Sequence, residues 1–268
     1  MPAHAFRFSK PAARIAAAIA LLTVFAAPAM AQRSDCILDN CADRRGPTRS
    51  WNDAPRRGDS YRSDRYSDYD RTSPRGASRP GDFDFYVLSL SWSSGFCATG
   101  GADKGKSQCS RGAGLGFVVH GLWPQYERGF PQDCGPSRSP SRVALDQAEG
   151  LFPDIGLARY EWRKHGTCSG KSPADYFADV RRARDSVVIP QQFERARGDQ
   201  DMSPAAILRA FETANPRLRP GMAAVGCRSG VLQEVRFCMS KDLRDFRPCP
   251  EVARSSCRTG QINVPGPL

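Results

Sequence analysis

Two histidines, each inside a compact motif, are the groups in this chain best suited to chemistry. His120 lies in Phe117-Val118-Val119-His120-Gly121-Leu122-Trp123-Pro124, and His165 lies in Tyr160-Glu161-Trp162-Arg163-Lys164-His165-Gly166-Thr167-Cys168. An imidazole, with an ordinary pKa of about 6.5, takes up and gives up protons near neutral pH. A pair of them, one flanked by a carboxylate and an ammonium, is the equipment of an acid/base catalyst. The third histidine, His4, sits in an N-terminal segment expected to be removed.

Placed on a helix, Glu161, Lys164 and His165 fall at spacings of three and four residues and share one face, with Tyr160 at its edge. Trp162 and Arg163 point elsewhere, and Trp162 reads as core. The competing reading is a surface Glu161–Lys164 ion pair, a common feature worth little to stability. A zinc-protease helix would need a histidine directly before the glutamate, as in HExxH, and Tyr160 stands there instead. In the first motif a short β-branched strand, Gly116 to His120, is expected to end at the imidazole. Gly121 would permit close backbone approach, and Trp123 would offer a stacking face for a base.

Elements on either side must hold these motifs in place. Phe83 to Trp92 alternates as a strand, and Val231 to Met239 does the same through Val231, Gln233, Val235 and Phe237. Gly156 to His165 has helical character and stops at Gly166. Two more helices begin at Ser172-Pro173 and Ser203-Pro204, where serine caps and proline takes the first helical position. Strands first, helices in the middle and a strand last give an α+β domain around a central, largely antiparallel sheet.

The remaining composition bounds compartment and partners. Residues 1–31 read as a secretory signal: Arg7, Lys10 and Arg14 lead, an apolar run follows from Ile15, and Ala29-Met30-Ala31 is a cleavage site. The run is shorter than a bilayer asks for, so no membrane anchor is expected. Residues 32–80 are rich in Arg, Ser, Asp, Gly, Pro and Tyr and read as a disordered arm, with the folded domain at 81–268. All ten cysteines follow the cleavage site, and an even number in an exported chain reads as a disulfide set. CxxC pairs with histidine partners are absent, so no zinc site is expected. The formal charge of +11 favours polyanionic partners.

HGLWP at 120–124 together with EWRKHGTC at 161–168 resembles the two active-site segments of the ribonuclease T2 family. Leu232-Gln233-Glu234-Val235-Arg236-Phe237-Cys238 is similar to a late strand of that family, and the likeness spans most of residues 83–257. The resemblance implies a disulfide-stapled, metal-independent endoribonuclease without a cofactor, acting on single-stranded RNA and not on DNA. It implies His165 as base and His120 as acid, although the sequence alone leaves that division open. Lys164 and Glu161 would stabilise the transition state, and Trp123 would contact a base. It also implies the bridges Cys97–Cys109, Cys134–Cys168, Cys227–Cys257 and Cys238–Cys249. Cys36–Cys41 remains by elimination, without family support.

The family usually carries histidine where this chain has Tyr160, which keeps a hydrogen-bond donor for phosphate but loses the positive charge. Gln125 stands where some relatives place a base-reading acid, so base preference does not transfer. The expected product is a secreted or periplasmic monomer. A rival from another class is a catalytically inactive RNA-binding or interaction module on the same fold. Retention of both histidines, Glu161 and Lys164 speaks against it.

Overall fold

The computed structural model describes residues 78–135 and 139–268. The signal segment at 1–31, the arm up to residue 77 and the Cys36–Cys41 pair lie outside the described residues. At the centre is β1 (Phe85–Trp92), whose sequence alternates large apolar side chains. Tyr86, Leu88, Leu90 and Trp92 are fully buried on one face, while Phe85 and Val87 are buried on the other. A strand covered on both faces has no solvent side for charge, and Ser89 and Ser91 are its only hydrophilic members besides Tyr86.

Two long antiparallel partners flank β1: β2 (Phe117–Gln125) and β5 (Val231–Ser240). β5 also pairs antiparallel with β4 (Ala223–Arg228). It meets β6 (Ile262–Val264) through one parallel bridge, Val231 to Asn263. β6 pairs antiparallel with β3 (Gln200–Met202), so the sheet runs β2-β1-β5-β6-β3 with β4 beside β5. The largely antiparallel sheet is as expected.

Seven α-helices lie among the described residues: α1 (Ser93–Phe96), α2 (Arg142–Asp146), α3 (Ile155–Lys164), α4 (Pro173–Asp185), α5 (Gln191–Glu194), α6 (Pro204–Ala214) and α7 (Pro250–Arg254). Ser172 and Ser203 cap α4 and α6, accepting hydrogen bonds from the N–H groups of Asp175 and Ala206, with proline at the first turn in both. Asp154 caps α3 through the Leu157 N–H. The main core joins Trp162, Tyr176, Phe177, Val180, Ile207 and Phe211 from these helices to Leu88, Leu90 and Phe237 of the sheet. A smaller cluster on the opposite face contains Phe85, Val87, Trp123, Ala224 and Cys238.

Two boundaries differ from expectation. β2 does not end at His120 but continues to Gln125, through Pro124. Pro124 is tolerated because β2 is the edge strand of the sheet, where one flank needs no ladder donor. α3 ends at Lys164, and His165 is its non-helical C-cap (φ −122°), leading into a 3-10 turn over Gly166–Ser169.

Four disulfides join Cys97 to Cys109, Cys134 to Cys168, Cys227 to Cys257 and Cys238 to Cys249. The second ties the loop after β2 to the turn that carries His165. The last two pin β4 and β5 to the C-terminal segment.

Leu88 lies at the middle of β1, opposite Leu122 on one side and Phe237 on the other, with no exposed surface. Leu88→Ala is expected to reduce unfolding free energy by about 2–5 kcal/mol in urea titrations. A change under about 1 kcal/mol would show that the sheet can close over the cavity, contrary to the rigid packing inferred here.

Candidate active site

The position of His120 follows from a register shift. Ser89 of β1 faces Gly121 of β2, while the next residue, Leu90, faces Val119. His120 is therefore the extra residue of a β-bulge, a device that breaks strict alternation and re-aims one side chain. Its imidazole emerges on the face opposite the main core, and 35% of its side-chain surface remains open.

On that face His120 Nδ1 lies 3.1 Å from Oε2 of Glu234, a residue of β5. Ser89 Oγ donates to the same oxygen at 2.6 Å, and Arg236 Nε donates to Oε1 at 2.7 Å. Glu234 is 1% exposed. Burial alone would raise its pKa, but Arg236, His120 and Ser89 together hold it well below the usual carboxylate range. An ionised carboxylate only accepts hydrogen bonds, so Nδ1 of His120 carries the proton and Nε2 is the nitrogen left for other partners. Gly226 of β4 makes room for this carboxylate, since a Cβ there would stand 2.8 Å from Glu234 Cγ.

From the other side, α3 delivers Glu161. Its carboxylate, 1% exposed, accepts the indole N–H of Trp123 at 2.8 Å and lies 3.9 Å from His120 Nε2. Gly121 is required beneath it: a Cβ at that position would fall 2.2 Å from both Glu161 Oε2 and Trp123 Nε1. The surface ion pair between Glu161 and Lys164 is thereby displaced as a reading. Lys164 instead pairs with Asp133 at 3.1 Å, and the Asp133 N–H donates to the Lys164 carbonyl.

His165 and His120 both lie beside Trp123, with ring centroids 5.5 Å and 5.2 Å from the indole respectively. The Nδ1 of His165 is buried without a hydrogen-bond partner. Trp123 is correspondingly enclosed. It is 8% exposed, with Arg236 lying 5.5 Å from its ring, so little of the expected stacking face is open and the core reading describes most of the side chain. The reason is that its indole N–H is committed to a buried carboxylate, while both imidazoles and the Arg236 guanidinium pack close to its rings.

Electrostatics divides the two histidines. At His120 burial works to lower the pKa, but the Glu234 hydrogen bond and the charges of Glu161 and Glu234 outweigh it, so the net shift is upward. His165 is pulled down to about 3 by burial, with the positive charges of His120 and Lys164 adding to the effect. Burial pushes Glu161 up to about 7, against the opposing influence of His120, Trp123 and Lys164. The surroundings thus push the two imidazoles apart, His120 toward its cationic form and His165 toward its neutral one.

Tyr160 precedes Glu161 on α3 and is half-buried, with the Arg163 guanidinium 5.6 Å from its ring centroid. Burial, followed by the Glu161 charge, raises its pKa. Gln125 is buried and its amide donates to the Pro124 carbonyl. Among the described residues no group of three His, Cys, Asp or Glu side chains is placed to hold a metal ion. Sequence reasoning missed Ser89, Asp133, Glu234 and Arg236. Two opposite charges inside an apolar strand were the available signal for the last two.

The ribonuclease T2 family model matches residues 83–249, more than half of the chain. A ribonuclease of Aeromonas hydrophila is 37% identical over 176 residues, covering 64% of this chain and 78% of that protein. Ribonuclease DdI of Dictyostelium discoideum is 28% identical over 206 residues, covering 70% and 87% respectively. Among solved structures, the RNase-related protein from Calystegia sepium shares the fold with a TM-score of 0.56 at 22% identity, over 69% of this chain and 98% of that one. Ribonuclease MC1 from bitter gourd seeds gives 0.52 at 23%, over 68% and 99%. Together with the two motifs, these likenesses lead to one assignment: the chain belongs to the ribonuclease T2 family.

Proposed function

We propose that this protein is an endoribonuclease that cleaves single-stranded RNA by acid/base transesterification between His165 and His120. The observation that carries the reading is the pair of imidazoles flanking Trp123, with pKa values displaced in opposite directions. His165, neutral, takes the proton of the ribose 2′-OH as O2′ attacks the adjacent phosphorus. His120, cationic, gives its Nε2 proton to the departing 5′-oxygen as the P–O5′ bond breaks. The products are a 2′,3′-cyclic phosphate and a free 5′-hydroxyl. Water then opens the ring to a 3′-phosphate with the two roles reversed.

Lys164 and Glu161 serve the phosphorane-like transition state. Positive charge and hydrogen-bond donors aimed at developing oxyanions are usually the largest catalytic contribution. A carboxyl group with a pKa near 7 is available in its neutral, donating form at mildly acidic pH. Trp123 braces Glu161, and base contact is restricted to the small exposed part of its ring. Tyr160 donates to a phosphate oxygen where relatives use histidine.

The signal segment 1–31 exports the chain, and the 81–268 domain acts as a secreted or periplasmic monomer. Four disulfides suit such an oxidising compartment. Among the described residues no helix is long and apolar enough to cross a membrane.

Single-stranded RNA should be cut in the presence of EDTA to fragments ending in 2′,3′-cyclic phosphate, while DNA stays intact. Loss of activity in EDTA, or equal cutting of DNA, removes the mechanism. His120→Ala and His165→Ala should each lower kcat by roughly 10²–10⁴-fold. A folded variant with near-normal turnover would free that histidine of its role.

The pH profile of kcat/KM follows from the free-enzyme shifts. The base must be neutral, and the His165 pKa is near 3, so the acid limb should fall far below the ordinary imidazole range. The acid must be protonated, and both His120 and Glu161 are raised, so activity should decline only as pH rises to about 7 and beyond. An acid limb near pH 6.5 would contradict the assignment of His165.

Gly121→Ala would force a methyl group against the Glu161 carboxylate and the Trp123 N–H. The expected result is a kcat loss of about 10–100-fold in a folded protein, as for other small displacements of reacting groups. Steady-state assays on a variant verified by circular dichroism check it, and unchanged kcat would mean that Glu161 tolerates displacement.

A further inference from the structure

Resting on the cleavage reading, we propose that Glu234 is the positioning residue for His120, fixing which nitrogen carries the ring proton and where the other nitrogen points. The carboxylate meets Nδ1 at 3.1 Å and is itself immobilised from three directions. Ser89 donates from β1 at 2.6 Å, Arg236 donates from β5 at 2.7 Å, and Gly226 leaves room for the side chain on the β4 side, where a Cβ would stand 2.8 Å from Glu234 Cγ. All of these groups are on adjacent strands of one sheet, so the carboxylate is held more rigidly than a loop residue could be.

His120 needs such support more than an ordinary strand residue. As the additional residue of a bulge it has no cross-strand neighbour to fix its side chain. Without a partner at Nδ1 the neutral imidazole could place its proton on either nitrogen. With Glu234 accepting from Nδ1, Nε2 is the atom that gains and loses the catalytic proton, and it is the atom directed at Glu161, 3.9 Å away. A carboxylate also favours the cationic ring that protonates the leaving oxygen. The other charged or titratable groups acting on His120 are Glu161 from α3, which also favours the cation, and Arg236, which opposes it; His165 lies beside the same Trp123.

The test is Glu234→Gln in the full, disulfide-bonded chain, with kinetics and histidine NMR titration side by side. A drop of about one unit in the His120 pKa would leave about tenfold less cationic acid above its titration point. We therefore expect kcat above neutral pH to fall about tenfold, KM to change less than about twofold, and the alkaline limb to move toward acid by about one pH unit. A purely structural role would lower the unfolding midpoint and leave the alkaline limb in place, and that result overturns the proposal. Should Arg236, left without its counter-charge, unfold the single variant, Glu234→Gln/Arg236→Met removes both charges and carries the same expectation. The direction holds because Glu234 raises the His120 pKa more than Arg236 lowers it. NMR separates the two readings: wild-type protein inert toward RNA overturns the cleavage reading, whereas an unchanged His120 titration in a folded Glu234 variant overturns the coupling.

Discussion

The burial of the Glu161 carboxylate under β2 organises the rest of the site. A carboxylate taken out of water costs several kcal/mol unless it is protonated, paired or hydrogen-bonded, and here each of those compensations is used in part. The Trp123 N–H donates to it, His120 lies within reach, and its own pKa moves up to about 7. Each compensation then constrains another residue. Trp123 must turn its indole inward, Gly121 must lack a side chain, and α3 must approach β2 closely enough for its last turn to touch the strand. The two imidazoles take their places around this fixed point.

Two carboxylates, both almost fully enclosed, end in opposite protonation regimes because their neighbours differ. Glu234 has a guanidinium, a hydroxyl and an imidazole around it and remains an anion. Glu161 has one indole donor and more distant cations, and it drifts toward neutrality. The site thus contains one permanent negative charge and one adjustable carboxyl, side by side on the same face of the sheet. Buried groups whose surroundings push their pKa values apart are a recurring sign of divided acid and base labour.

Much of this was legible locally. Serine caps followed by proline announced α4 and α6, because capping depends on residues three apart in the chain. The alternation of β1 and β5 was equally clear, since both strands are long enough for period two to register. β3 and β6, at three residues each, carry no such period. His120 was identified as the key residue but misplaced at a strand end, because a bulge exists only in the pairing of two strands and leaves no mark in either alone. Glu234 was noted only as part of a late strand, and its role escaped notice for a related reason: its partner is 114 residues earlier in the chain. Trp123 read both as a stacking face for a base and as a core residue, because aromatic composition does not disclose which ring edge is committed elsewhere.

The Cys134–Cys168 bridge ties catalytic competence to the history of the chain. It closes a span of 34 residues directly behind the turn that bears His165 and beside the Asp133 that holds Lys164. In a thiol-rich cytosol such bridges stay open. The turn would then lack its covalent anchor. One pair of sulfur atoms thereby couples the placement of His165 to the redox state of the compartment in which the chain folds.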